Sequence, residues 1–375
     1  MDTTALNALN SLTLQVLWAA FILSMLFGAI AQRTHFCTMG AISDVVSMSD
    51  WTRLRMWAMA VGVAMIGFYA LSAAGQIDPA KTLYASGRFI WLSALVGGLL
   101  FGFGMVLASG CGSKTLVRIG GGNLKSVVVF IVMGVAAFAT LKGITAVIKV
   151  ATVDRVAIDF SGNASLPDLL AASAGVSPTA AGIGLALVLG AALIAWALAG
   201  RDCRGFDNLL AGLGIGGVIV AMWWVSGHLG YVAEHPETLQ EAFLATNSGR
   251  AEALSFVSPF AYSIDFLIFF SDKSKLLTIG IVSVIGVVVG SAIYSLMSRS
   301  FRWEGFRDAE DTANHLVGAV LMGVGGVCAM GCTIGQGLSG ISTLSATSIV
   351  AVAAIVAGCV AALKYQIWRL ERSAP

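Results

Sequence analysis

Long apolar stretches alternate along the chain with short polar segments. A helix needs about 20 mainly apolar residues to cross the hydrocarbon core of a bilayer. Nine stretches have this character, and we predict transmembrane helices at 13–31, 56–74, 90–109, 126–149, 180–199, 208–228, 276–297, 313–330 and 345–366.

One of these apolar segments occurs twice. Residues 95–112 read LVGGLLFGFGMVLASGCG and residues 316–333 read LVGAVLMGVGGVCAMGCT, identical at ten of eighteen positions and sharing a Gly-Cys near the end. Such a match indicates an internal duplication. The predicted organisation is a single transmembrane transporter domain, 1–375, divided into repeat one (13–149), a linking span (180–199) and repeat two (208–366).

Basic residues gather in alternate loops, which predicts an orientation because Lys- and Arg-rich loops face the cytoplasm. They follow the first, third, fifth, seventh and ninth spans, whereas 229–252 carries four glutamates and residues 1–12 carry no Lys or Arg. We therefore expect the amino end outside and the carboxyl end in the cytoplasm. Lys273 and Lys275 are the exception. The apolar stretch 253–271 is accordingly predicted to be a re-entrant or interfacial helix and not a tenth crossing.

This orientation makes the two copies antiparallel. The third span runs from outside to inside before Cys111, and the eighth runs from inside to outside before Cys332. The fold class predicted is an all-α integral membrane protein with about nine transmembrane helices, short broken or re-entrant helices, and an inverted-topology internal repeat.

Composition agrees with the membrane class. The 375 residues are 57% hydrophobic and 11% charged, against about 25% charged in soluble domains. The net charge of +2 gives no reason to expect a nucleic-acid partner. The start, MDTTALNALNSL, lacks the basic region of a cleaved signal peptide. No cofactor is predicted, and no metal either, because Cys328 and Cys332 have no further ligand in register.

Each Gly-Cys lies where a glycine-rich helix gives way to small, uncharged residues. Broken backbone at membrane depth is tolerated when it is buried in protein or lines a cavity. We therefore expect two broken helices to meet near the middle, where free N–H groups favour an anion. The alternative is a glycine-rich helix crossing with no cavity. The residues expected to support a pathway are Gly110, Gly112, Gly331, Thr333 and Gln336.

A third cysteine, Cys37, follows the first span in FGAIAQRTHFCTMGAISDVV. The matching place in the second half falls near 224–228, where no cysteine stands. Thiols are weak donors and soft, polarisable acceptors, so a row of Cys37, Cys111 and Cys332 suits a soft sulfur-containing anion better than sulfate or phosphate. Lys114 and Arg118 are expected at the cytoplasmic mouth of the pathway.

These segments carry a family resemblance. LFGAIAQRTHFCTMGAI, LVGGLLFGFGMVLASGCGSKTLVR and LVGAVLMGVGGVCAMGCTIGQGLSG resemble the three cysteine segments of the YeeE/YedE family of bacterial inner-membrane transporters. The resemblance implies an hourglass of nine spanning helices and several short broken ones. It also implies uptake of thiosulfate past three cysteines, which would be Cys37, Cys111 and Cys332, without covalent chemistry. A small cytoplasmic TusA-like sulfur-carrier protein is the partner it implies.

Other functions stay open at this stage. The substrate could be another sulfur or selenium species. A membrane sulfurtransferase would use a cysteine persulfide and needs a basic residue to lower a cysteine pKa. A subunit that spans without conducting would leave the cysteines as packing residues. We expect a transporter and not an enzyme.

Overall fold

The computed structural model describes residues 3–160, 162–236, 238–272 and 274–373. Its regular structure is almost entirely helical. The α-helices of this part of the chain are α1 (Thr3–Arg33), α2 (Thr38–Met48), α3 (Thr52–Ala73), α4 (Trp91–Leu107), α5 (Gly112–Gly120), α6 (Leu124–Lys142), α7 (Ile144–Ala151), α8 (Leu166–Ala174), α9 (Pro178–Ala199), α10 (Phe206–Leu209), α11 (Ile215–Trp224), α12 (Val257–Ile268), α13 (Ile279–Met297), α14 (Ala309–Cys328) and α15 (Ala346–Ser373).

A π-helical segment, Leu210–Gly214, joins α10 to α11, and a second, Val225–Leu229, extends α11 at its end. A third, Gly335–Gly340, follows α14. Three short 3₁₀ turns and four two-residue strands complete the structure. They are Pro79–Lys81, Val153–Arg155 and Arg201–Arg204, with β1 (Arg88–Phe89), β2 (Ile158–Asp159), β3 (Tyr231–Val232) and β4 (Ala242–Phe243).

The all-α membrane class is confirmed. Within the described ranges, eight helical segments are long and apolar enough to cross a bilayer. The outer face of α1 shows why they suit lipid: Leu14, Trp18 and Ile22, spaced four residues apart, are each more than half exposed. The eight segments are Asn7–Met48, Thr52–Ala73, Trp91–Gly120, Leu124–Lys142, Pro178–Ala199, Phe206–Leu229, Ile279–Met297 and Ala346–Arg369.

The ninth predicted span, 313–330, differs from the rest. A helix is present there as α14, but it begins with Glu310 and Asp311 in its first turn and carries His315 one turn later. It is therefore not among the eight apolar segments. Its inner half is glycine-rich and buried against α4 and α6, so protein rather than lipid surrounds it.

Two further boundaries bear on the predictions. The predicted span 126–149 is too long, because Gly143 adopts an extended conformation that ends α6 and starts the separate helix α7. The stretch 253–271 forms α12, whose 12 residues span about 18 Å. That is too short to cross the roughly 30 Å hydrocarbon core, in agreement with a re-entrant helix.

The two copies of the repeated segment pack directly against each other as α4 and α14. A Cβ added at Gly97 would lie 2.6 Å from the carbonyl oxygen of Gly325, and one added at Gly318 would lie 2.6 Å from that of Gly104. Because Gly97 corresponds to Gly318 and Gly104 to Gly325 in the repeat, the two contacts are the same contact viewed from each copy. The two helices therefore run antiparallel, related by a local two-fold axis, with backbones touching at glycine.

Neighbouring helices follow the same symmetry. α1 packs along α13 as α11 packs along α3, and α4 packs along α15 as α14 packs along α6. α9 packs mainly on α3 and stands outside this pairing. Two repeats, 13–149 and 208–366, joined by a linking span at 180–199 would give this arrangement. The bounds of the repeats remain a prediction.

Loops meet at each end of the bundle. At one end, β1 pairs with β2 and β3 pairs with β4, both antiparallel. We call it the loop end, and its connections are 74–90, 152–177, 230–256 and 269–278. At the opposite end, Lys125 pairs with Asp311 at 2.8 Å and Arg33 with Asp207 at 2.8 Å. We call it the basic end, and its connections are 34–51, 121–123, 200–205 and 298–308.

The glycine contact between α4 and α14 generates a prediction about stability. Gly325→Ala places a methyl group 2.6 Å from two backbone atoms, the Gly97 oxygen and the Phe101 nitrogen. Overpacking of this kind destabilises a fold by about 1–3 kcal/mol, so the purified variant should unfold at a lower temperature than the parent. Gly184→Ala on α9, where a Cβ meets nothing within 4 Å, is the matched control. Equal thermal stability of the two variants would contradict the contact.

Candidate transport site

Both copies break their helix with the same turn. Ser109 and Met330, at matched positions, adopt left-handed backbone conformations with φ of 56° and 58°. The next N–H then reaches back across the turn: Gly110 to the Met105 carbonyl and Gly331 to the Gly326 carbonyl, both at 2.8 Å. This pairing is typical of a Schellman helix ending. The duplication thus preserves the break itself as well as the residues around it.

A cysteine starts the next segment after each break, and Cys37 does the same at the start of α2. The Gly40 N–H donates to the Cys37 sulfur at 3.4 Å, and the Gly335 N–H donates to the Cys332 sulfur at 3.4 Å. The Lys114 N–H approaches Cys111 in the same way, from three residues ahead. The sulfurs of Cys37 and Cys332 thereby accept a hydrogen bond at a helix start, which leaves their S–H groups to donate elsewhere. The Cys111 thiol instead lies 3.3 Å from the Ser113 hydroxyl.

The three cysteines come together at the centre of the bundle. The thiols of Cys37 and Cys111 are close neighbours. Cys332 lies near Cys111, and the side chain of Thr333 lies beside the Cys111 thiol. All three cysteines are buried, Cys111 and Cys332 completely. The structure is therefore closed at the thiols.

The counterpart of Cys37 in the second half is Phe256 and not a residue near 224–228. Phe256 caps α12 as Cys37 caps α2, and its N–H lies beside the Cys332 thiol. The sequence alignment missed it because the loop 230–256 is far longer than the turn 34–37. The second half thus supplies an aromatic side chain where the first supplies a thiol.

The five predicted support residues all lie around this centre. Gly112 sits against Phe256, with 3.5 Å from an added Cβ to the phenylalanine Cβ, and Gly110 sits against the side chain of Lys114. The Gln336 amide donates to the Ala329 carbonyl at 2.7 Å, which ties the segment after Cys332 to the end of α14. Gly331 and Thr333 flank Cys332 directly, and neither Thr333 nor Gln336 is exposed beyond 2%.

Positive charge lines the basic end of this centre. Lys114 and Arg118 lie one turn apart on α5, and Lys114 interacts electrostatically with Cys37 and Cys111. Arg53 is close to Lys114 as well and shares its charge with Asp44 at 3.3 Å. In the described part of the chain, neither Lys114 nor Arg118 forms a salt bridge. Their charge is therefore available to an anion.

Several residues at the centre carry no sequence signal. The Tyr84 hydroxyl donates to the Gly335 carbonyl at 2.5 Å and so joins the connection 74–90 to the segment that follows Cys332. Burial raises the pKa of Tyr84, which keeps this hydroxyl a donor. The hydroxyls of Thr38 and Thr333 and the indole N–H of Trp57 are buried without a hydrogen-bond partner around one small cleft. Unpaired buried donors are costly, so these groups are ready to bind a polar ligand.

Comparison with known proteins also indicates a transporter of a sulfur-containing ion. A profile for the family described as "Sulphur transport" matches residues 33–361. The chain is 28% identical over 328 residues to a protein named thiosulfate transporter TsuA from Escherichia coli (strain K12), covering 85% of this chain and 86% of that protein. It is 27% identical over 348 residues to a protein of the same name from Spirochaeta thermophila (strain ATCC 700085 / DSM 6578 / Z-1203), covering 89% and 94%. The resemblance drawn from the three cysteine segments is thereby confirmed.

Proposed function

The chain belongs to the sulphur transport family, which is the YeeE/YedE family of its cysteine motifs, and on that premise we propose that it takes up thiosulfate through the centre lined by Cys37, Cys111 and Cys332. Both named relatives are thiosulfate transporters. The observation that carries the proposal is the set of three neighbouring buried thiols at helix starts. Of these, Cys37 and Cys332 accept a backbone N–H and keep their S–H groups to donate.

The chemistry of the centre fits such an anion. Thiosulfate has a soft terminal sulfur that accepts weak S–H hydrogen bonds, and oxygens that accept stronger O–H and N–H bonds. The unpaired hydroxyls of Thr38 and Thr333 lie beside the thiols. Lys114 is a cation that interacts electrostatically with both Cys37 and Cys111. Both the donors and this positive charge favour an anion over a cation.

The proposed orientation in the membrane rests on the charges at the two ends of the bundle. The protein resides in a bacterial inner membrane, with the basic end in the cytoplasm and the loop end outside. The amino end, where α1 begins, is then outside and the carboxyl end of α15 is in the cytoplasm. A small cytoplasmic sulfur carrier of the TusA type is the proposed partner at the basic end.

The ion moves in three steps. It reaches Cys332 from the loop end, where Tyr84 holds the Gly335 carbonyl and must release it. It then passes to Cys111, where the unpaired Thr333 hydroxyl donates to it. Cys37 and the charge of Lys114 then attract the ion toward the cytoplasmic mouth of the pathway, which Arg118 also lines. Each handover exchanges one set of weak donors for another, so no site binds the ion too tightly to release it.

The cysteines generate the first prediction of this proposal. Removal of the thiol in Cys111→Ala or Cys332→Ala should reduce uptake of radiolabelled thiosulfate into proteoliposomes to background, and Cys37→Ala should reduce it strongly, because each handover loses its donor. Cys328→Ala is the matched control, since Cys328 lies one turn before Cys332 and ends the packed helix α14. It should retain uptake.

The same variants separate transport from the alternatives. Full uptake by Cys111→Ala would contradict the thiol pathway. A persulfide on Cys111 or Cys332, found by mass spectrometry after thiosulfate treatment, would instead favour a membrane sulfurtransferase. Uptake of a different sulfur or selenium anion, but not of thiosulfate, would keep the pathway and change the substrate.

A second prediction concerns the positive charge at the basic end. Lys114→Gln and Arg118→Gln should each lower uptake at low substrate about tenfold, since the ion at the thiols loses an opposite charge that attracts it toward the cytoplasmic mouth. The loss should shrink as ionic strength rises. Lys364→Gln on the outer face of α15 should have no such effect. Wild-type uptake by Lys114→Gln at low salt would show that this charge does not serve the ion.

A further inference from the structure

A second cavity lies on the loop-end side of Cys332. It has a volume of about 60 Å³, larger than the 10–15 Å³ or so that one water requires. We call it the Glu252 cavity. Polar side chains of three segments line it, together with Met330, and these side chains are Glu252, Ser255, Ser258, Tyr262 and Ser283.

This cavity borders the turn that holds Cys332. Met330 begins that turn, and the side chain of Ser255 packs directly on Gly335, whose N–H caps the Cys332 sulfur. Phe256, the next residue, brings its N–H beside the same thiol. An ion in the cavity is therefore one step from Cys332.

No salt bridge to Glu252 is formed by the residues that the structure describes. Its carboxylate accepts a hydrogen bond from the Ser248 hydroxyl at 2.8 Å and lies beside the N–H groups of Asn247 and Ser248. Arg250, on the same segment, turns away and donates to the Ala85 carbonyl. Tyr84 is the titratable group that faces Glu252 from the loop before α4.

Among the described residues, the cavity lining from the other elements is uncharged. Tyr262 faces it from α12, α13 contributes Ser283, and the end of α14 contributes Met330. Burial, set against those hydrogen bonds, raises the pKa of Glu252 to about 7, well above the usual value near 4.3. A carboxyl in this state exchanges its proton near neutral pH.

One more group in the cavity lacks a partner. The Ser283 hydroxyl is 1% exposed and makes no hydrogen bond in the described structure. A buried donor without an acceptor is costly. The oxygen of an anion in the cavity would satisfy it, and a protonated Glu252 would offer a second O–H donor to the same anion.

We propose that the Glu252 cavity is a binding site for the arriving sulfur oxyanion, and that the anion occupies it only when Glu252 is protonated. The proposal rests on the transport of thiosulfate proposed above. The ionised carboxylate repels an anion, whereas the neutral acid donates to it. Protonation of Glu252 and binding of the anion therefore favour each other, as linkage requires.

The test measures initial thiosulfate uptake into proteoliposomes, with the same buffer on both sides, from about pH 6 to about pH 8. Thiosulfate itself stays a dianion over this range. Since the neutral form of Glu252 is lost as pH rises through about 7, wild-type uptake should fall roughly tenfold across the range. Glu252→Gln keeps a neutral donor of the same shape, so its uptake should stay high and flat.

Two further variants sharpen the test. Glu241→Gln removes a carboxylate that pairs with Lys81 at the surface of the same loop, and it should keep the wild-type pH profile. Ser283→Ala removes the unpaired donor, and it should weaken apparent affinity severalfold without moving the pH midpoint.

The outcomes separate the two claims. Wild-type uptake with an unchanged pH profile in Glu252→Gln would overturn the role of Glu252 and leave thiosulfate transport standing. A flat profile in the wild type would overturn it as well. Absence of uptake by the wild type at every pH would overturn both.

Discussion

The antiparallel glycine contact between α4 and α14 is the constraint on which the rest of the structure depends. Backbones can approach this closely only where no Cβ intervenes, as at Gly97 and Gly325. The contact fixes the two copies back to back, so their identical breaks after Ser109 and Met330 come to the same depth from opposite sides. Without this glycine contact, the two Gly-Cys turns would not face a common centre.

Once the breaks meet, helix starts converge there and decide what the centre can hold. Free N–H groups at a helix start favour negative charge. Here part of that capacity goes to the sulfurs of Cys37 and Cys332. A hard anion would be better served by bare N–H groups or by an arginine. Capped thiols offer several weak, similar donors, which suits a soft ion that must be handed on.

Much of the fold and of the cysteine centre could be predicted from the sequence, because the sequence features that indicate them are local or repeated. The duplicated segment together with the charges of the loops predicted the antiparallel copies, and Gly-Cys predicted the breaks. Features that depend on tertiary contacts could not be predicted from the sequence. The end of α6 at Gly143 interrupts an apolar run without changing its composition. Phe256 became the counterpart of Cys37 through a long loop, and Tyr84 reaches Gly335 across 251 residues.

The most direct measurement of the central claim uses a variant that retains Cys37, Cys111 and Cys332, with Cys203, Cys328 and Cys359 changed to alanine. Its uptake of thiosulfate is followed before and after a mercurial thiol reagent, with and without excess thiosulfate during labelling. The account predicts that the variant transports, that the mercurial blocks it, and that thiosulfate protects it. Transport that continues after all three thiols have reacted would contradict the account.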